Sequence, residues 1–126
     1  MKAKEMRIPV SRQARIWTLG GDGGDAAVFW VVLHGYGQLA EFFVRNFGAI
    51  ASEHRMIVAP EGLSRFYTQG FSGRVGASWM TREMRSEEIE DYLAYLDRVY
   101  DEIPPEAQVY LLGFSQGAAT AGRWFY

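Results

Sequence analysis

Ala27-Val28-Phe29-Trp30-Val31-Val32-Leu33 is apolar at every position. A strand with one wet face alternates, so a run without alternation marks a strand covered on both faces, as in a sheet flanked by helices. Arg55-Met56-Ile57-Val58-Ala59, stopped by Pro60, and Gln108-Val109-Tyr110-Leu111-Leu112 are two more buried strands of this kind. Between them the period changes to that of a helix. Leu39, Phe43, Phe47 and Ile50, with Phe42 and Ala51 beside them, fall on one face of a helix starting near Gln38. Ile89, Leu93, Leu96, Val99/Tyr100 and Ile103 form the stripe of a second. Ser86 is its expected N-cap, Glu87, Glu88, Glu90 and Asp91 suit the dipole of its first turn, and Pro104-Pro105 ends it. Strands alternating with helices predict an α/β fold with a mainly parallel sheet and right-handed crossovers.

The flanking segments are read differently. Arg7 to Val10 and Arg15 to Leu19 suit an opening antiparallel hairpin. Gly20 to Asp25 is a turn: it lacks the GxGxxG order and the Lys-Ser/Thr of a phosphate cradle, and it precedes a strand where a cradle follows one. Pro60 to Trp79, with four glycines and the aromatics Phe66, Tyr67 and Phe71, is expected to be a long irregular loop that serves as a binding surface.

At 126 residues, 48% hydrophobic and 15% aromatic, the chain has the material for one domain with a packed core. A net charge of -2 gives no electrostatic reason to expect nucleic acid or an anionic membrane surface as partner. With no cysteine, and with His34 and His54 the only histidines, neither a disulfide framework nor a zinc or iron site is expected. The charged N-terminus holds no signal-peptide core, and no apolar run approaches the roughly 20 residues of a membrane span. These features favour the cytoplasm.

The chemistry resides in Gly113-Phe114-Ser115-Gln116-Gly117, a GxSxG at the end of an apolar strand with Ala118-Ala119 ready to open a helix. A sharp strand-to-helix turn lifts a serine Oγ out of the backbone and presents it as a nucleophile. His34-Gly35-Tyr36-Gly37 ends the first buried strand. Ester or thioester hydrolysis builds negative charge on the carbonyl oxygen, which rigid backbone N–H groups must face. The N–H groups of Gln116 and Tyr36 are the candidate pair. Phe71, Trp79 and Met80 are candidates for the substrate pocket, with covering of the core as the other reading of the aromatics. His34, beside the oxyanion loop, is read as a structural hydrogen bonder, and His54 as a helix-end or surface residue at the opposite sheet edge. Glu61 lies near the active edge, where it could orient water or substrate.

LHGYG, the VAP strand end, Ser78-Trp79 and LGFSQGA together resemble the phospholipase/carboxylesterase family of α/β-hydrolases, which includes acyl-protein thioesterases. The resemblance runs from Trp30 onward. It implies a hydrolase of carboxylic esters, lysophospholipids or thioesters, with a Ser-His-Asp triad and no cofactor. Gln38, where thioesterases of the family usually have Asp, and Met80-Thr81, where they have Phe-Asp, are departures that bear on thioesterase specificity rather than on esterase chemistry. In this fold the acid and the histidine follow the serine in the chain. Both are expected beyond Tyr126, which makes residues 1–126 a single, incomplete α/β-hydrolase domain. Its last strand is then expected to have a free edge prone to self-association. The alternative is a non-catalytic assembly or ligand-binding module that keeps the first half of the fold.

Overall fold

The computed structural model describes residues 1–22 and 24–126. Its main sheet has four strands in the order β1-β3-β2-β6. The apolar runs are the parallel strands: β2 (Val28–Leu33) pairs with both β3 (Arg55–Pro60) and β6 (Gln108–Gly113). β6, expected to be buried, has no buried residue and leaves Gln108 and Tyr110 exposed, because it stands at the end of the sheet. Successive residues of β2 point to opposite faces. Val31 and Leu33 enter one core cluster with Trp79, Tyr92, Leu96 and Val99, while Val32 enters the other with Ile57, Ala40, Phe43 and Val44. Val31, Val32 and Leu33 have no exposed surface. Each such burial stabilises the fold by about 1.5–3 kcal/mol, which is why the run tolerates no polar residue.

β1 (Ile16–Gly20) is antiparallel to β3, from Ile16 opposite Pro60 to Gly20 opposite Met56. Its partner is therefore β3 and not Arg7 to Val10, a segment without regular structure. The turn expected at Gly20 to Asp25 follows β1, with Gly23 outside the described residues.

The stretch read as an irregular loop contains an antiparallel hairpin, β4 (Ser64–Gln69) and β5 (Ser72–Ser78), forming a second, two-stranded sheet. Half-buried and exposed residues alternate along β4, a weak two-residue period that the glycines of β5 obscure in sequence.

α1 (Ala40–Phe43) is a single turn continued by 3₁₀ structure over Val44–Phe47, so the first helix is shorter than its apolar pattern suggests. α2 (Arg85–Asp101) buries Tyr92, Leu96 and Val99. Its N-cap position is Met84, in the left-handed region at φ 50, with no side-chain cap, so Ser86 lies inside the helix and not at its cap. Glu88 instead accepts from the Thr81 N–H at 3.3 Å, and Glu87 pairs with Arg7. α2 stops at Asp101, before Pro104. α3 (Gln116–Phe125) begins directly after the serine turn. At the other side of the sheet β1 is an edge, and β6 pairs only with β2, which leaves it the second edge among the described residues.

Candidate active site

Between the last residue of β6, Gly113, and the first of α3, Gln116, the chain reverses within two residues. Ser115 is held at φ 57 and ψ −117, a sparsely populated conformation for a residue with a Cβ. The Phe114 N–H donates to the Leu33 carbonyl at 3.0 Å, the Gly117 N–H to the Phe114 carbonyl at 2.9 Å and the Ala118 N–H to the Ser115 carbonyl at 2.9 Å. A Cβ on Gly113 would lie 2.2 Å from the Gly117 carbonyl oxygen, and one on Gly117 would lie 2.1 Å from that of Leu33. Both glycines of the motif are steric requirements of the turn. Their absence of side chain lets α3 start against β2 and leaves Ser115 exposed.

The loop leaving β2 packs against this turn. A Cβ on Gly35 would come within 3.2 Å of the Phe114 backbone oxygen, so the two segments are in van der Waals contact. The loop's polar groups are largely occupied. The Gly35 N–H donates to Gln38 Oε1 at 2.6 Å, the Gln38 N–H to the Gly35 carbonyl at 3.2 Å, and the Gly37 N–H to the Ala77 carbonyl at 2.8 Å. The backbone N–H groups of Tyr36 and Gln116 have no acceptor among the described residues. Both N–H groups are thus left without such an acceptor on segments that adjoin each other. The exposed Tyr36 ring stacks on Phe66 with centroids 5.1 Å apart.

His34 is fully buried, and both of its ring nitrogens are engaged. Nδ1–H donates to the Gly35 carbonyl at 2.8 Å and Nε2 accepts the Gly62 N–H at 2.9 Å, which assigns the neutral tautomer. Burial holds its pKa below the ordinary histidine value. No lone pair is left to take a proton from Ser115. His54 lies at the start of β3, exposed, 3.4 Å from Asp25. That is the opposite end of the strands from the serine turn.

Glu61 does not face substrate. Its carboxylate is buried and accepts from Arg15 at 2.8 Å, Arg65 at 2.8 Å and the Ala40 N–H at 3.1 Å. Every oxygen is committed to joining the N-terminal segment, β4 and the start of α1, so none is free to orient a ligand.

Phe71, Trp79 and Met80 occupy three separate environments. Phe71 is 99% exposed at the turn of the hairpin, whereas Trp79 is 2% exposed and belongs to the core, its indole N–H donating to the His34 carbonyl at 2.8 Å. Met80 is half-buried beneath Arg123, 3.7 Å from its Sδ. The groove that adjoins the serine turn is a different one, about 280 Å³, lined by Gln38, Phe43, Asn46, Phe47, Leu112 and Phe114. Phe43 and Phe47 are legible in the sequence only as core residues of a helix. In the structure they line one wall of this groove, across from Leu112 and Phe114 of β6 and the serine turn.

Among the described residues no group of three or more His, Cys, Asp or Glu side chains is placed to hold a metal ion. No helix of the described residues is long and apolar enough to cross a membrane.

Solved structures share this architecture. The chain superposes on the crystal structure of Zea mays acyl-protein thioesterase 2 with a TM-score of 0.63 and 22% identity, covering 86% of this chain and 49% of that one. It superposes on the crystal structure of esterase PE8 with a TM-score of 0.63 and 22% identity, covering 90% of this chain and 57% of that one. The chain thus spans about half the length of the structures it matches. No protein-family model and no curated protein matches it. The mainly parallel sheet, its flanking helices and its antiparallel hairpin are part of an α/β-hydrolase fold.

Proposed function

We propose that the chain carries the nucleophile and the oxyanion-binding amides of a serine carboxylic-ester hydrolase, as one incomplete α/β-hydrolase domain. The observation that carries this reading is the strained Ser115 turn, wedged between two glycines that admit no Cβ and packed against the loop of Tyr36. The resemblance to an esterase and a thioesterase supports the same class. Carboxylic esters, lysophospholipids and thioesters are the candidate substrates, with the acyl group in the groove of Phe43, Phe47 and Phe114.

In the first step Ser115 Oγ attacks the carbonyl carbon while its proton passes to a base. The carbonyl oxygen takes the negative charge and accepts the N–H groups of Tyr36 and Gln116. Collapse of the tetrahedral adduct breaks the bond to the alcohol or thiol, which leaves with the proton. Water then attacks the acyl-enzyme in the same way and frees the acid and the serine. His34 is saturated and His54 is at the wrong end of the sheet. We therefore assign the base and its acidic partner to residues outside Met1–Tyr126. The scheme calls for no cofactor, and a cytoplasmic setting suits it. Self-association through the free edge of β6 is part of the same reading, with concentration-dependent sedimentation as its check.

The test is hydrolysis of p-nitrophenyl acetate by the 126-residue chain, with and without added imidazole. Loss of a triad histidine costs about 10⁶ in kcat, so the chain alone should be nearly inert. Imidazole should restore a saturable rate that Ser115→Ala abolishes, and a chain continued past Tyr126 should need none. Fast Ser115-dependent turnover without imidazole would refute the assignment of the base. If neither form shows a Ser115-dependent rate or labelling by a fluorophosphonate, the non-catalytic module replaces the hydrolase.

A further inference from the structure

We infer, building on the reading of Ser115 as nucleophile, that the side chain of Gln116 is a positioning residue that ties both halves of the oxyanion site to one brace, Ala77–Met80. The sequence motif accounts for the backbone of Gln116 and leaves its side chain without a task. That side chain is turned away from the serine. Its Oε1 accepts the Trp79 N–H at 2.9 Å, and its Nε2 donates to the Met80 carbonyl at 2.8 Å and to Ser78 Oγ at 3.4 Å. The amide thus bonds the backbone of both Trp79 and Met80, just past the end of β5. Thr120 Oγ donates to the Gln116 carbonyl at 3.1 Å. Every polar group of the residue is engaged within the protein except the backbone N–H proposed to face substrate.

Two residues of the same segment, Ala77 and Trp79, grip the other half of the site. The Ala77 carbonyl accepts the Gly37 N–H at 2.8 Å, and the Ala77 N–H donates to the Gln38 carbonyl at 3.0 Å. The Trp79 indole N–H donates to the His34 carbonyl at 2.8 Å, and its ring stacks on the His34 ring at 5.1 Å. Behind the brace, a Cβ on Gly76 would sit 2.5 Å from the Gly37 oxygen, so the loop has no room to fall back. Tyr36 is thus held on both sides, through His34 and through Gly37 and Gln38, by the segment that holds Gln116. Sparsely populated backbone such as that of Ser115 persists only where its surroundings over-determine it. Within the turn that constraint is supplied by the close contacts of Gly113 and Gly117, and the Gln116 amide extends it to the loop carrying the other donor.

Two substitutions in the 126-residue chain test this. Gln116→Met removes the amide at similar size. Gln116→Glu keeps an acceptor for the Trp79 N–H and loses the donor to Met80, and it serves if the first variant does not fold. Leu96→Ala, which leaves every hydrogen bond of the brace in place, is the control for general loss of stability in the core cluster that holds Trp79. Amide hydrogen exchange should rise at least tenfold at both Trp79 and Gly37 in Gln116→Met, with Leu96→Ala showing no such selective rise. In Gln116→Glu, Trp79 should stay protected relative to Gln116→Met. Imidazole-assisted acetylation of Ser115 should fall tenfold or more in Gln116→Met, as a loss of rate at saturating ester with KM little changed.

Faster exchange at Trp79 alone, with Gly37 unmoved, would overturn the brace. Unchanged acetylation with both amides exposed would overturn the positioning role. Wild-type chain with no Ser115 acetylation, but with the predicted exchange pattern, would strike the hydrolase reading and the positioning role together while showing the brace to be architectural.

Discussion

At the amino ends of the parallel strands His54 lies in solvent beside Asp25, their side chains 66% and 74% exposed, whereas at the carboxyl ends His34 has no exposed surface and two bonded ring nitrogens. The carboxylates differ in the same way. Asp25 meets one exposed imidazole at 3.4 Å, while Glu61 is buried among two guanidinium groups and a backbone N–H. Residue type alone therefore says little about role. At one end charged groups are solvated and interchangeable. At the other His34 and Glu61 are committed, and the strained Ser115 lies beside backbone N–H groups, those of Tyr36 and Gln116 among them, that have no acceptor among the described residues.

The contrast can be broken by substitution, and the largest effect belongs to Glu61. Glu61→Ala leaves Arg15 and Arg65 without their partner and the Ala40 N–H without its acceptor, so unfolding by urea should show a loss of about 3 kcal/mol or slightly more. That is the low end for a broken buried pair, because both guanidinium groups are partly exposed. A loss under 1 kcal/mol would mean the carboxylate is as dispensable as a surface one. Gly117→Ala comes next. Its Cβ would collide with the carbonyl oxygens of Leu33 and His34, at 2.1 and 2.6 Å, and backbone atoms of a central strand cannot swing aside. A loss of about 3 kcal/mol, the upper part of the range for overpacking, should appear in the same assay.

The third effect is one of pH. His34 is held neutral in the fold, below its ordinary pKa, because burial penalises the charged ring and Nε2 already accepts the Gly62 N–H. The unfolded chain binds that proton more readily, so stability is complete above about pH 6.5 and declines as pH falls through that value toward the lowered folded one. His34→Asn should be less stable at neutral pH and lack this decline. A wild-type stability that stays level from about pH 7 to 5 would contradict the buried neutral ring. Asp25→Ala should do least, within the roughly 0.5 kcal/mol of an ordinary surface substitution. A larger change would erase the distinction between the two ends.

The parts of this architecture that were legible beforehand share a local cause. β2 and β3 could be located because strands covered on both faces must be apolar at successive positions, and the serine turn because its glycines and its serine lie within five residues. β6 was located too, but as an edge strand with Gln108 and Tyr110 exposed it is not the buried strand its sequence predicts. The hairpin of β4 and β5 was not legible, since Gly73 and Gly76 are poor strand formers. Gly76 is there because the Gly37 backbone passes 2.5 Å from where a Cβ would be, a contact 39 residues away in the chain. Tyr92 was missing from the predicted stripe of α2. Its ring is buried, and its hydroxyl is matched by Arg123 of α3 at 3.0 Å, a partner that periodicity does not reveal.

The candidate site divides along the same line. The serine turn, the loop of Tyr36 beside it and the place of His54 at the far end of the strands followed from motif and strand order. The fates of Glu61, Phe71, Trp79 and the Gln116 side chain did not, because their partners come from elements that meet only once the sheet has formed.

By itself, then, the amino-acid sequence determined the α/β class, the places of the parallel strands and of the serine turn, since each depends on side-chain pattern within a few residues. The tertiary structure alone decided which donors stay free, which carboxylate is sealed among arginines and what holds Gln116 to Trp79. Those outcomes depend on burial and hydrogen-bond geometry between segments far apart in the chain, and no local pattern encodes them.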